Sequence, residues 1–110
     1  MEYSAIFHDM DKRFCYAIDK DLFVIRVQVK KDDMKEVILH YEDKYIPIER
    51  KDTRMTLPMK KVATSQFHDY YEAQLQMHLI CLRYFFEFTD MQGEKEYYGN
   101  YEFDKECITN

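Results

Sequence analysis

An all-β fold, an antiparallel sandwich of about eight strands, is what this sequence predicts, and three features predict it. Apolar residues alternate with polar ones in run after run. The runs recur at roughly the 8–12-residue spacing of sandwich strands. Aromatic residues make up 16% of the chain, ten Tyr and eight Phe with no Trp, a composition that suits pleated surfaces and a core packed from rings. At 110 residues there is length for a single domain with one core, and no linker, repeat or low-complexity tract marks a boundary within it.

Taken in order, "AIFH" and "FCYAI" are the first strand candidates. "LFVIRVQVK" follows, placing Phe23, Ile25, Val27 and Val29 on one face and Arg26, Gln28 and Lys30 on the other, the period-two signature of a half-buried strand. "KDDMK" supplies a polar turn, after which "EVILHYE" resumes with Val37, Leu39 and Tyr41 on one side. "RMTLPMK", "DYYEAQL", "CLRYFFEFT" and "KEYYGNY" complete the series, and "DMQGE" sets Gly93 where a tight hairpin needs a residue tolerant of positive φ. One stretch carries a competing signal: from Glu72 to Phe86 there is neither Gly nor Pro, and Leu75, Leu79, Leu82 and Phe86 fall at helical spacing. The unbroken alternation Leu82, Tyr84, Phe86, Phe88 and the Tyr/Phe-rich composition favour a pair of strands there, with those four residues turned to the core and Phe85 turned away.

Charge excludes one class of partner. The net charge is -5 and the basic residues are scattered apart from Lys30-Lys31 and Lys60-Lys61, so the chain lacks the basic stripe from which phosphate-backbone affinity comes, and no nucleic-acid partner is expected. No membrane is expected either: the opening "MEYSAIFHDMDK" has no leader-like apolar run, and nothing later approaches the ~20 apolar residues of a span. Cys15, Cys81 and Cys107 cannot all pair and contain no C-x-x-C spacing, which fits reduced thiols in a cytoplasmic compartment.

Little in the sequence promises chemistry. Paired carboxylates for acid–base work need a cleft and separated pKa values, and none of the 21 acidic residues stands out from solvated strand faces and turns. His8, His40, His68 and His78 lack the ligand count and spacing of a zinc site, and neither H-E-x-x-H nor an EF-hand loop occurs. Gly93 and Gly99 are too few and too far along to cradle a phosphate, and no activated Cys–His pair is indicated. The chain therefore predicts no catalytic residue, no metal and no cofactor. What remains is aromatic: a flat ring can cover the C–H face of a pyranose, and ~50 Å² covered in this way contributes on the order of 1 kcal/mol, so two or three rings are needed for useful affinity.

The order of segments then resembles something specific. "AIFH", "YAIDKDLFVIRVQVKKDDMKEVILHY", "EDKY", "MKK", "DYYEAQL", "LRYFFEFTDMQGE" and "YYGNYEF" together resemble the N-terminal immunoglobulin-like domain, carbohydrate-binding module family 34, of the cyclomaltodextrinase, neopullulanase and maltogenic amylase group of the α-amylase superfamily. The run from Ile25 to Tyr41 is similar to the family's I-R-L-R-T-K-K-x-D-V-x-x-V-x-L-x-Y, and "LRYFFEFTDMQGE" to its L-R-Y-x-F-x-L-x-D-x-x-G-E. Departures are local. Tyr71 takes the place of a Trp in D-Y-W-F-A, Met77-His78 that of a Pro-Pro turn, and Pro47 stands where a Trp is common. The G-D-P-Y loop becomes "EDKY", with Glu42 for Gly and Lys44 for Pro while Asp43 and Tyr45 match.

The resemblance implies an immunoglobulin-like sandwich over residues 1–110, normally followed by a catalytic (β/α)8 barrel that this chain does not contain. It implies a non-catalytic accessory domain of an α-glucan hydrolase acting on cyclomaltodextrin or pullulan-type substrates, with maltooligosaccharide, cyclodextrin or starch-like glucan as ligand and a homodimer in the full-length enzyme. By position the sugar-contacting tyrosine of the loop is Tyr45, with Asp43 beside it and Tyr70 or Tyr71 as second contacts. Alternation puts those two on opposite faces, so at most one of them can reach an open surface. A dimerisation module without sugar affinity and an unrelated immunoglobulin-like adaptor are the alternative readings.

Overall fold

A computed structural model of the chain describes residues 1–9, 14–19, 22–43, 55–76 and 81–104. Eight strands lie within them: β1 (Cys15–Asp19), β2 (Leu22–Lys30), β3 (Met34–Asp43), β4 (Met55–Pro58), β5 (Lys60–Thr64), β6 (His68–Gln76), β7 (Cys81–Asp90) and β8 (Lys95–Asp104). They form two four-stranded sheets, ordered β1-β2-β6-β5 and β4-β3-β7-β8, and every neighbouring pair is antiparallel. The fold is the sandwich the alternation predicts.

The core is made by the same parity along each central strand. Phe23, Ile25, Val27 and Val29 of β2 and Tyr71, Ala73 and Leu75 of β6 meet Val37 and Leu39 of β3 and Leu82, Tyr84, Phe86 and Phe88 of β7. Tyr84, Phe86 and Phe88 are wholly buried, with Phe86 6.0 Å from each of the other two rings. Burying a side chain of this size contributes about 1.5–3 kcal/mol, so these rings anchor β7 to the opposite sheet. The helical spacing of Leu75, Leu82 and Phe86 has a simple origin: two successive strands each turn alternate residues to one core, odd numbers on β6 and even numbers on β7. Leu79 lies outside the described residues.

Two segments depart from expectation. "AIFH" forms no strand: after a single 3-10 turn at Tyr3–Ala5 it makes one bridge, with Phe7 and Gln28 exchanging N–H···O bonds of 2.9 and 2.8 Å. Alternation survives there, since Ile6 and His8 are buried and Phe7 is exposed, but the extended stretch is too short to continue the ladder. "RMTLPMK" is divided between sheets. β4 ends at Pro58, which has no N–H to extend a ladder, Met59 donates instead to the Val37 carbonyl at 2.8 Å, and the chain re-enters the other sheet as β5. All five residues of β5 are exposed, so no apolar alternation marked it in the sequence.

Buried carboxylates pin one end of the sandwich. Asp90 accepts N–H bonds from Gln92 and Glu94 at 3.0 and 2.9 Å and closes the β7–β8 hairpin, where Gly93 has φ +86°. Asp69 accepts from the Asp32 N–H at 3.0 Å and the Thr64 hydroxyl at 2.7 Å and pairs with Lys61 at 3.2 Å, tying the β2–β3 turn to the β5–β6 turn. Burial alone would raise the Asp69 carboxyl, but these donors outweigh it and hold the group below its ordinary value.

Candidate functional site

The structure separates the residues expected to touch sugar. Asp43 is the last residue of β3, backbone-paired with Leu82, and leads into residues 44–54. Tyr45 lies outside the described residues. Tyr70 is half-buried on the outward face of β6, across from Gln28 on β2 and Ala63 on β5. Its neighbour Tyr71 is a core residue, 7% exposed, with its hydroxyl 3.5 Å from the Met34 carbonyl and the Lys61 ammonium 6.0 Å from its ring centre. Burial raises the Tyr71 phenol above its ordinary value. Tyr71 is thus turned into the core, and the parity that forces the two tyrosines apart gives Tyr70 the surface. Asp43 and Tyr70 belong to different sheets and do not form one site.

Around Tyr70 the outward face of the first sheet is polar and paired. Arg26, Glu72 and Lys60 stand in one row across β2, β6 and β5. Glu72 Oε1 accepts from Arg26 Nη2 at 3.2 Å and from the Tyr16 hydroxyl at 3.4 Å, which fixes the carboxylate in place.

The outward face of the second sheet holds a ring cluster that sequence reasoning only half saw. Phe85, the one aromatic of its run turned away from the core, stacks on His40 with centroids 4.6 Å apart and an angle of 7°. Tyr97, 62% exposed, meets both edge-on at 5.9 and 6.0 Å. His40 Nε2 donates to Glu87 at 3.0 Å, and Lys95 approaches the other oxygen of that carboxylate at 3.8 Å. Nearer the end of β3, Arg83 bridges Glu42 at 3.5 Å and Glu102 at 3.3 Å. Parity on β3 and β8 would have added His40 and Tyr97 to Phe85; what hid them is that register between strands cannot be read from one strand alone.

A buried polar line lies inside the sandwich. His8 Nδ1 is 2.7 Å from the Arg26 carbonyl, which can only accept, so Nδ1 carries the proton; Nε2 then accepts a hydrogen bond from the Tyr84 hydroxyl at 2.8 Å. Cys15 Sγ sits 3.8 Å from the same hydroxyl. Burial pushes the Cys15 thiol up to about 11, outweighing its contact with the Tyr84 hydroxyl, and burial also raises the Tyr84 phenol. A thiol kept protonated in this way is a packing group and no nucleophile. Among the described residues no group of three His, Cys, Asp or Glu side chains could hold a metal ion, and no helix is long and apolar enough to cross a membrane. The buried carboxylates Asp69, Asp90 and Glu87 are each taken up by internal donors. The arrangement suits contact and binding, with rings and fixed polar groups on open sheet faces.

Comparison with known proteins shows the family. The family model described as "Alpha amylase, N-terminal ig-like domain" matches residues 1–110. The chain belongs to that family. This α-amylase N-terminal domain is 40% identical over 86 residues to the maltogenic alpha-amylase of Bacillus acidopullulyticus, covering 78% of the chain and 15% of that protein. It is 31% identical over 102 residues to neopullulanase 2 of Thermoactinomyces vulgaris, covering 93% of the chain and 17% of that protein. A solved cyclomaltodextrinase superposes with a TM-score of 0.83 at 27% identity, over 94% of the chain and 20% of that structure. The α-amylase N-terminal domain thus spans less than a fifth of the curated relatives just named.

Proposed function

We propose that this chain is the non-catalytic N-terminal domain of a glycoside hydrolase acting on α-1,4/α-1,6 glucans of the cyclomaltodextrin or pullulan type, where it helps bind substrate and shape the active site. The observation that carries the reading is the match of the α-amylase N-terminal family over residues 1–110, with relatives named for maltogenic amylase and neopullulanase activity. On this reading a catalytic (β/α)8 barrel follows in the same polypeptide and the enzyme works in the cytoplasm, in keeping with the free, buried Cys15 thiol. Maltooligosaccharide, cyclodextrin or starch-like glucan touches Tyr45 and Asp43, and Tyr70 offers a separate ring on the sheet that does not contain Asp43.

Isothermal titration of the chain with maltoheptaose and with β-cyclodextrin tests sugar contact, with heat expected from at least one. Tyr45→Ala in the full-length enzyme is expected to raise KM for the same glucans. No heat for either sugar together with unchanged kinetics of the variant would remove the sugar-binding role.

A second reading is a dimerisation module without glycan affinity. The exposed ring of Tyr97 over the Phe85–His40 stack favours it, because an outward aromatic patch loses water readily against another protein surface. A dimeric full-length enzyme whose truncated form is monomeric and accepts a broader range of substrates would select this reading.

A further inference from the structure

Where the chain leaves β4 for β5, the side of the sandwich is open among the described residues. Pairing of β5 with β6 starts at Lys60 and Glu72, so from Ala73 onward β6 has β2 on one side and, among the described residues, no strand on the other. Pro58 closes β4 without an N–H to offer, and Met59 turns away to bond Val37. The result is a cavity of about 360 Å³, within the range of small-molecule sites. Its apolar surface comes from Leu57, Pro58, Val62 and Ala73 and its polar groups are Lys60, Glu72 and Gln74.

The chemistry of these groups narrows the ligand. Lys60 and Glu72 bring one charge of each sign into the lining, and Glu72 is shared with Arg26 on its other side. Glu72 is held by Arg26 and Tyr16 through Oε1 only. Among the described residues Lys60 makes no ion pair and the Gln74 amide no hydrogen bond, so ammonium, amide and the second carboxylate oxygen are available as donors and acceptors in the lining. Hydroxyl groups both donate and accept, and a molecule that carries several of them on an otherwise apolar ring matches both halves of the lining. Tyr70 stands two residues before Glu72 on the same outward row, roughly 7 Å along the strand, where a ring can cover the next sugar.

We propose that the cavity between β4 and β6 is a glucan subsite, taking one glucosyl unit of a short maltooligosaccharide against Pro58 and Val62 with Lys60, Glu72 and Gln74 on its hydroxyls and the adjoining unit on Tyr70. The inference rests on the glucan reading above and names a contact other than Tyr45.

The test is an amide-shift titration of the ¹⁵N-labelled chain with maltotriose, with cellotriose as the control. Shifts centred on Lys60, Val62, Tyr70, Glu72 and Gln74 are expected, saturating with maltotriose and weaker with cellotriose. Gln74→Ala and Lys60→Ala, both at exposed positions, are each expected to weaken binding roughly fivefold, the loss of about one hydrogen bond, while Tm stays put. Shifts confined to Asp43 and Tyr45 and their neighbours would overturn this subsite and leave the glucan reading standing. No shift with any glucan would overturn both, and equal shifts with cellotriose would overturn the assignment to α-glucans.

Discussion

Both faces of β7 carry aromatic rings, and the rings do different work. Inward, Tyr84, Phe86 and Phe88 are sealed against the opposite sheet; outward, Phe85 is half-buried and leans on His40, with Tyr97 over both. Neighbours one residue apart therefore differ in what surrounds them far more than in what they are. The lesson is that a run of rings identifies the fold through its parity, whereas its contribution to binding depends on what the neighbouring strands bring alongside.

The largest test of that contrast is truncation on each face. Phe86→Ala is expected to cost about 3–5 kcal/mol in urea denaturation, because it empties a site closed on every side. Phe85→Ala, one residue away, should cost about 1 kcal/mol, the worth of a ring pair without a cavity. Equal losses would mean that the outward cluster is as much a core as the inward one.

A smaller effect is expected at the pinned end. Asp69→Ala removes the buried carboxylate that takes the Asp32 N–H and the Thr64 hydroxyl and should cost about 1–3 kcal/mol. Because the folded carboxyl titrates below its ordinary value of 3.8, its contribution is complete above that pH and is lost as the pH falls through the lower folded value. The wild-type Tm should fall as the pH drops below about 4, and Asp69→Asn should flatten that fall.

Tyrosines 70 and 71 sharpen the comparison further. Tyr71→Phe removes only a long hydroxyl contact and should shift stability by less than about 1 kcal/mol, while Tyr71→Ala should behave as a core truncation. Tyr70→Ala should leave Tm nearly unchanged and lower maltotriose affinity. The least effect is expected from Arg83→Ala, whose two ion pairs are partly solvated and contribute about 0–1 kcal/mol; thermal melts in low and high salt would show it.

How much of this was legible in the sequence depends on which property each residue was read for. β2 could be read from end to end, because its inward residues are Phe, Ile and Val and its other face carries Arg, Gln and Lys. Val24 is the exception, buried on the outward side, since one strand's alternation cannot report what packs over its far face. β5 was invisible for the opposite reason: exposed on every residue, it is a strand only because β6 offers it hydrogen bonds. At Tyr70 and Tyr71 parity gave the separation but not its direction, which depends on the partner sheet. The cavity beside Glu72 left no trace in composition or spacing. It exists because two strands stop short of each other, a property of pairing that no single segment carries.

Cys15 gives the molecule a built-in chemical clock. Its thiol is 5% exposed, held protonated up to about pH 11, and sits on an edge strand paired to β2 alone. In the closed molecule an alkylating reagent finds neither access nor thiolate. Alkylation at this position, followed by peptide mass, would then advance only as fast as β1 peels from the sheet, and would time the opening of that edge without any label being introduced.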